Sequence, residues 1–168
     1  TPLFPDSQLR TEGNFDYLGD KAHRYALQKV YISLSYKRDM RPGDLLVIYR
    51  KGTMAGRKAY ESVVSTICVV DEVRYNFSNK EDYLKYCENR TVFSQETLNQ
   101  LWEKHGEKLL VVKFIFIKSL TKRITLGELW SGGIIPQYSG PRPFDHIPDA
   151  DFDTILAKSQ TKIHFERQ

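Results

Sequence analysis

The chain has 168 residues, 40% of them apolar and 27% charged, values that exclude disorder as the default and allow one domain with a sizeable core. A net charge of +4 and a pI near 9.0 are compatible with an acidic partner such as nucleic acid without demanding one. Cys68 and Cys87 are the only cysteines, so a disulfide framework and zinc-ligand spacing are excluded and a reducing cytoplasmic location fits. The longest apolar stretch, Leu109 to Ile117, is interrupted by Lys113 and is far too short to cross a membrane, so no membrane partner is expected.

In chain order, residues 1–20 hold Pro2, Pro5, Gly13 and Gly19 without a sustained period and read as an irregular arm or linker. Residues 21–168 then form a single domain. The opening Thr-Pro-Leu-Phe-Pro, without an initiator methionine, points to a domain cut from a longer chain. Asp20 is an N-cap candidate for a short helix reaching Leu27. From Lys29 to Tyr36, Val30, Ile32 and Leu34 alternate with Tyr31, Ser33 and Ser35, which predicts a strand with one apolar and one hydroxyl-rich face. Arg41-Pro42-Gly43-Asp44 is turn chemistry, followed by an apolar strand from Asp44 that ends in Tyr49-Arg50 with Lys51 beyond it. Gly52 to Gly56 is a loop, and Tyr60 to Val73 is a long β-rich run buried on both sides.

Helical signals follow at Asn79 to Glu88 and at Ser94 to His105, the second ending at Gly106. Strand returns from Leu109 to Ile117, and a short helix from Thr125 to Trp130 is stopped by Gly132-Gly133. Gly140 to Phe144 is a proline-stiffened loop, and Asp149 caps a closing helix to Lys158. Strands and helices mix without regular alternation, which predicts an α+β fold around a mostly antiparallel, curved sheet.

Catalytic signatures are sparse. His23, His105, His146 and His164 are scattered, with no helix-spaced partner, so neither a metal nor a cofactor is expected. Walker A, GxSxG and dinucleotide fingerprints are absent. Asp71-Glu72 reads as a solvated pair at a strand end. Gly56-Arg-Lys58-Ala-Tyr-Glu61 matches the opening of the GxKxxExR signature of the ASCH family, but Val63 replaces the arginine and the segment follows the Gly-Asp strand instead of preceding it. A chance match is the plainer reading; the enzyme alternative makes Lys58 and Glu61 the acid/base pair of a small amidohydrolase or ribonuclease.

The segments Val30 to Tyr36, Arg38 to Asp44 and Leu45 to Tyr49 follow one another as in the EVE-type branch of the PUA-like superfamily, which also holds the YTH and ASCH domains. Val63 to Val73 is similar to that family's next strand, whereas its N-terminal tryptophan strand and its proline-rich stretch after the third strand are missing. The resemblance covers Val30 to Val73. It implies a PUA-like pseudo-barrel with short flanking helices that binds RNA or a modified DNA or RNA base in an aromatic pocket, without chemistry of its own. On that reading Ser33, Ser35 and Tyr36 stand at pocket positions, Tyr31 and Tyr49 stack, and Trp130 closes the site, while Arg50, Lys51, Arg57, Lys58 and Arg142 meet phosphates. A similar module occurs fused to GNAT-type acetyltransferases in prokaryotes, which implies a cytoplasmic chain and, as an alternative function, a regulatory domain of a larger enzyme. The bland readings stand beside these: Tyr49 and Trp130 as core, Ser33 and Ser35 as solvated, Arg50 and Lys51 as strand-end charges.

Overall fold

A computed structural model describes residues 28–88 and 90–164, together with the backbone of residues 3–5. The rest of the expected N-terminal arm and the helix expected after Asp20 lie outside the described residues. The elements are β1 (Leu3–Pro5), β2 (Gln28–Ser33), β3 (Leu45–Arg50), α1 (Lys58–Glu61), β4 (Val63–Arg74), α2 (Lys80–Cys87), α3 (Gln95–His105), β5 (Leu110–Thr125), α4 (Leu126–Ser131) and α5 (Asp149–Lys158). The sheet order is β1-β3-β4-β5-β2. β2 runs antiparallel to β5, from Gln28 opposite Ile115 to Ser33 opposite Leu110, while β1 lies parallel to β3. This is the expected α+β class, with a mostly antiparallel sheet and short helices.

The Pro-Gly turn before β3 is built as its residues require. Gly43 has φ +93°, a conformation that glycine adopts without a Cβ penalty. Asp44 N–H donates to the Arg41 carbonyl at 3.1 Å, and its carboxylate accepts the Arg41 N–H at 2.8 Å. Two reciprocal 2.8 Å bonds, Gly43 N–H to Val70 O and Val70 N–H to Asp44 O, then register this turn against β4.

Several boundaries differ from expectation for identifiable reasons. β4 starts at Val63 because Lys58 to Glu61 coil into α1 first. β5 does not stop at Ile117 but continues to Thr125, with Leu120 and Ile124 buried among exposed Lys118, Thr121, Lys122 and Arg123. Asp149 is the first residue of α5, Pro148 is its N-cap, and no side chain caps it. Asn79, Ser94 and Thr125 do cap α2, α3 and α4, each side chain accepting the N–H three residues on.

The chain divides into two compact units. The first comprises Thr1–Pro5, Leu46–Ile67 and Ile117–Gln168; the second comprises Asp6–Leu45 and Cys68–Phe116. In the second, Val30, Phe77, Tyr83, Tyr86, Cys87, Leu98, Leu109 and Val111 form a buried cluster, with Ile32, Leu84, Phe93 and Trp102 packed against it. Tyr83 stacks on Trp102 at 5.3 Å and meets Phe77 edge-on at 5.6 Å. Burial pushes the Cys87 thiol up to about 12, leaving it a small inert core residue. Arg74 lies over the rings of Phe77 and Tyr86 and pairs with Asp82 at 2.5 Å, while Lys113 sits 3.7 Å above Tyr86 and 3.5 Å from Glu72. Asp71 accepts from Gln28 Nε2 at 2.5 Å, so neither member of Asp71-Glu72 is simply solvated. These cations and rings contact one another within the fold, while the buried Tyr86 hydroxyl has no hydrogen-bond partner among the described residues.

In the first unit the organising residue is Ser62, which is fully buried. Its Oγ accepts the Gly52 N–H at 2.9 Å, its carbonyl accepts the Leu126 N–H at 2.8 Å, and its own N–H closes α1 on Lys58 O. Gly52 is needed here because a Cβ would stand 2.6 Å from Glu61 Cβ. Ser62→Ala is therefore expected to lower stability by about 1–3 kcal/mol, by removing the acceptor of the half-buried Gly52 N–H. Urea unfolding should show a lower midpoint with an unchanged slope.

Candidate functional site

In the second unit β2 ends at Ser33 and the chain turns through two successive hydroxyl-closed bends. Ser33 Oγ accepts the Ser35 N–H at 3.0 Å, and Ser35 Oγ accepts the Lys37 N–H at 3.2 Å. The Arg38 guanidinium reaches back to the Ser35 carbonyl and across to Lys108 O at 3.5 Å, and it lies over the Tyr75 ring at 5.3 Å. A hydroxyl ladder on the inside and a guanidinium on the outside therefore brace this stretch. At its apex Tyr36 is 85% exposed, and Leu34 beside it is 51% exposed. The expected alternation is broken here: Val30, Tyr31 and Ser33 are all buried, Ile32 only partly, and Leu34 has left the strand.

Tyr31 and Tyr49 are core residues, 8% and 4% exposed, each in its own unit. Burial pushes the Tyr31 phenol up to about 12. It raises Tyr49 as well, an effect partly offset by the Ser62 hydroxyl beside it. Both rings pack against protein, and among the described residues the exposed tyrosine rings are those of Tyr36, Tyr60, Tyr75 and Tyr138.

In the first unit β3 delivers Arg50, half-buried, and then Lys51, exposed. The loop beyond exposes Met54 and Arg57, and α1 exposes Lys58 and Tyr60. Lys58 and Glu61, the acid/base pair of the enzyme alternative, both lie in α1. Glu61 Oε2 accepts the Met54 N–H at 3.2 Å, and no ion pair joins the two side chains among the described residues. Glu61 shapes the loop and Lys58 faces solvent.

The loop after α4 brings together two further expected residues and one that composition does not mark. Trp130 Nε1 donates to the Ser139 carbonyl at 2.7 Å, which sets the indole 5.7 Å from the Tyr138 ring. Tyr138 is 84% exposed. Arg142 is also exposed, with its N–H bound to Asp145 Oδ2 at 2.9 Å and its carbonyl accepting the Asp145 N–H at 3.2 Å. The available signal for Tyr138 was its place in Pro136-Gln-Tyr-Ser-Gly140, an aromatic residue inside turn chemistry. Among the described residues no His/Cys/Asp/Glu cluster could hold a metal ion, and no helix is long and apolar enough to cross a membrane.

No protein-family model matches the sequence, and no curated protein matches it. The solved structures are more informative. A single-substitution variant of the ASCH protein from Zymomonas mobilis is 9% identical with a TM-score of 0.59, covering 93% of this chain and 94% of that one. Another crystal structure of ASCH from that organism is 11% identical, with a TM-score of 0.58 and 92% of each chain covered. A hypothetical protein from Leishmania major is 14% identical, with a TM-score of 0.56, covering 94% of this chain and 92% of that one. At these identities the likeness is one of fold: the chain has the PUA-like fold of ASCH domains.

α4, which carries Trp130, opens on a capping box in which Thr125 and Glu128 bind each other's backbone N–H. The Thr125 N–H, 2.8 Å from Oε2, is the main reason the Glu128 carboxyl lies below the usual carboxylate range; the Thr125 hydroxyl and Lys122 add to this, and partial burial opposes it. A depressed folded pKa stabilises the protein above the ordinary glutamate value of about 4.3 and ceases to as pH falls through the folded value. Glu128→Gln keeps an acceptor but removes the charge. It is expected to lower the urea midpoint at neutral pH, with the gap to the native chain closing as the pH drops below about 4.

Proposed function

We propose that this chain is a nucleic-acid-binding module in which Tyr36 stacks on an unpaired base. The observation that carries the reading is the Ser33–Arg38 bend. A tyrosine that is 85% exposed buries little surface, yet the turn beneath it is fixed by two hydroxyl bonds and a guanidinium. A rigid, exposed ring meets a base at little entropic cost. Ser33, Ser35 and Tyr36 are also the residues that the EVE resemblance puts at its pocket, which supports the finer proposal that the preferred base is a modified one. Lys51, Arg57 and Lys58 form a separate exposed basic stretch suited to phosphates. The fold is compatible with this reading but does not decide it, because one fold hosts many functions.

The test is fluorescence anisotropy with single-stranded RNA and DNA oligonucleotides, modified and unmodified, at two salt concentrations. Tyr36→Ala is expected to weaken binding about 5- to 150-fold, and Tyr36→Phe to retain it. Lys51→Ala should weaken all sequences alike and reduce the salt slope by roughly 0.7 to 0.9. Binding that is absent or insensitive to salt would instead favour a regulatory module attached to a larger enzyme, such as an acetyltransferase. Binding that is indifferent to Tyr36→Ala would remove the stacking role.

A further inference from the structure

Among the described residues, four non-glycine residues have positive φ: Asn76 at 58°, Tyr138 at 64°, Phe144 at 62° and Gln160 at 54°. Three have local explanations. Asn76 is a residue type that tolerates the left-handed region. Gln160 follows the end of α5 and donates its N–H to Ala157 O, as residues just past a helix commonly do. Phe144 is fully buried, so packing compensates for its backbone.

Tyr138 has no such account. Ser139 N–H donates to Pro136 O at 3.0 Å, making Pro136 to Ser139 a turn with Tyr138 third. A positive φ at the third place alone is the type II pattern, which favours glycine or asparagine there. A tyrosine at that place strains the backbone, and at 84% exposure it gains little burial in return. The loop around it is nevertheless anchored. Ile135 and Phe144 are buried at its two ends, and the Trp130 indole holds the Ser139 carbonyl.

From this juxtaposition we infer that Tyr138 is a second stacking residue, which takes the face of an unpaired nucleobase while Arg142 meets an adjoining phosphate. The inference rests on the nucleic-acid reading above and narrows its ligand to single strands. The neighbours decide for a base over a protein partner. Between Gly132 and Phe144 the one charged residue is Arg142. Its guanidinium has no hydrogen bond or ion pair among the described residues, and Asp145 Oδ2 is turned to the Arg142 backbone N–H. Gln137, Ser139 and Gly140 flank the ring with exposed polar or small groups. A protein interface core calls for contiguous apolar surface, whereas an exposed ring backed by the Trp130 indole, with a cation four residues along the same loop, matches a base and its phosphate. In a duplex both faces of a base are covered by its neighbours, so such a ring selects against paired strands.

The experiment compares the native chain, Tyr138→Asn and Tyr138→Phe on a single-stranded oligonucleotide and on the duplex of the same sequence. Asparagine suits the turn, so thermal unfolding of Tyr138→Asn should match or exceed that of the native chain. Tyr138→Asn is expected to lose about 5- to 150-fold in affinity for the single strand, with duplex binding unchanged and Tyr138→Phe close to native. If the native chain binds the single strand and Tyr138→Asn binds it equally well, this inference fails while the Tyr36 reading stands. A native preference for the duplex also overturns it. If the native chain binds no nucleic acid, both readings fail together.

Discussion

In the first unit a single buried serine ties together the elements that display charge and aromatic rings. Ser62 receives the Gly52 N–H from the end of β3, and through its backbone it closes α1 and starts α4. Each bond satisfies a backbone or hydroxyl group of the buried Ser62, so the three elements take their positions from one residue. The consequence reaches outward. With Gly52 fixed, the chain carries Lys51 into solvent, and with α4 started at Leu126, Trp130 emerges where its indole can hold the next loop.

The second unit solves a similar problem with a cation. Arg38 gathers the Ser35 and Lys108 carbonyls and covers Tyr75, so the bend that displays Tyr36 is fixed without being buried. By contrast, Arg74 and Lys113 spend their charge on Phe77, Tyr86, Asp82 and Glu72. Cation and ring pairs are therefore of two kinds here: those that close on each other inside the fold and those that hold an open ring in place. The second kind is the one on which the proposed binding depends.

Local chemistry was readable where a residue has few alternatives. Pro42-Gly43 demanded a turn with positive φ, and Asn79, Ser94 and Thr125 announced helix starts that the structure contains. The tyrosines were harder to sort. Period two cannot separate an inward from an outward ring when Leu46 to Tyr49 are buried in succession and Val30, Tyr31 and Ser33 are all covered. Tyr138 depends on a left-handed turn and on an indole eight residues away, neither of which leaves a periodic trace. α1 is only four residues long, too short for a periodic window, so the bond from the Met54 N–H to Glu61 left no trace in the sequence pattern. The fold class was legible because it depends on the overall mixture of strands and helices; the exposure of individual rings depends on tertiary detail.

The central claim is that exposed tyrosines, not the buried ones, meet the ligand. It is tested most directly by labelling the tyrosine rings and following their NMR signals while a single-stranded oligonucleotide is added. The account predicts that the Tyr36 and Tyr138 rings shift with ring currents from the stacked bases, while Tyr31, Tyr49 and Tyr83 hold their positions. Shifts confined to the buried rings, with Tyr36 unmoved at saturation, would contradict it.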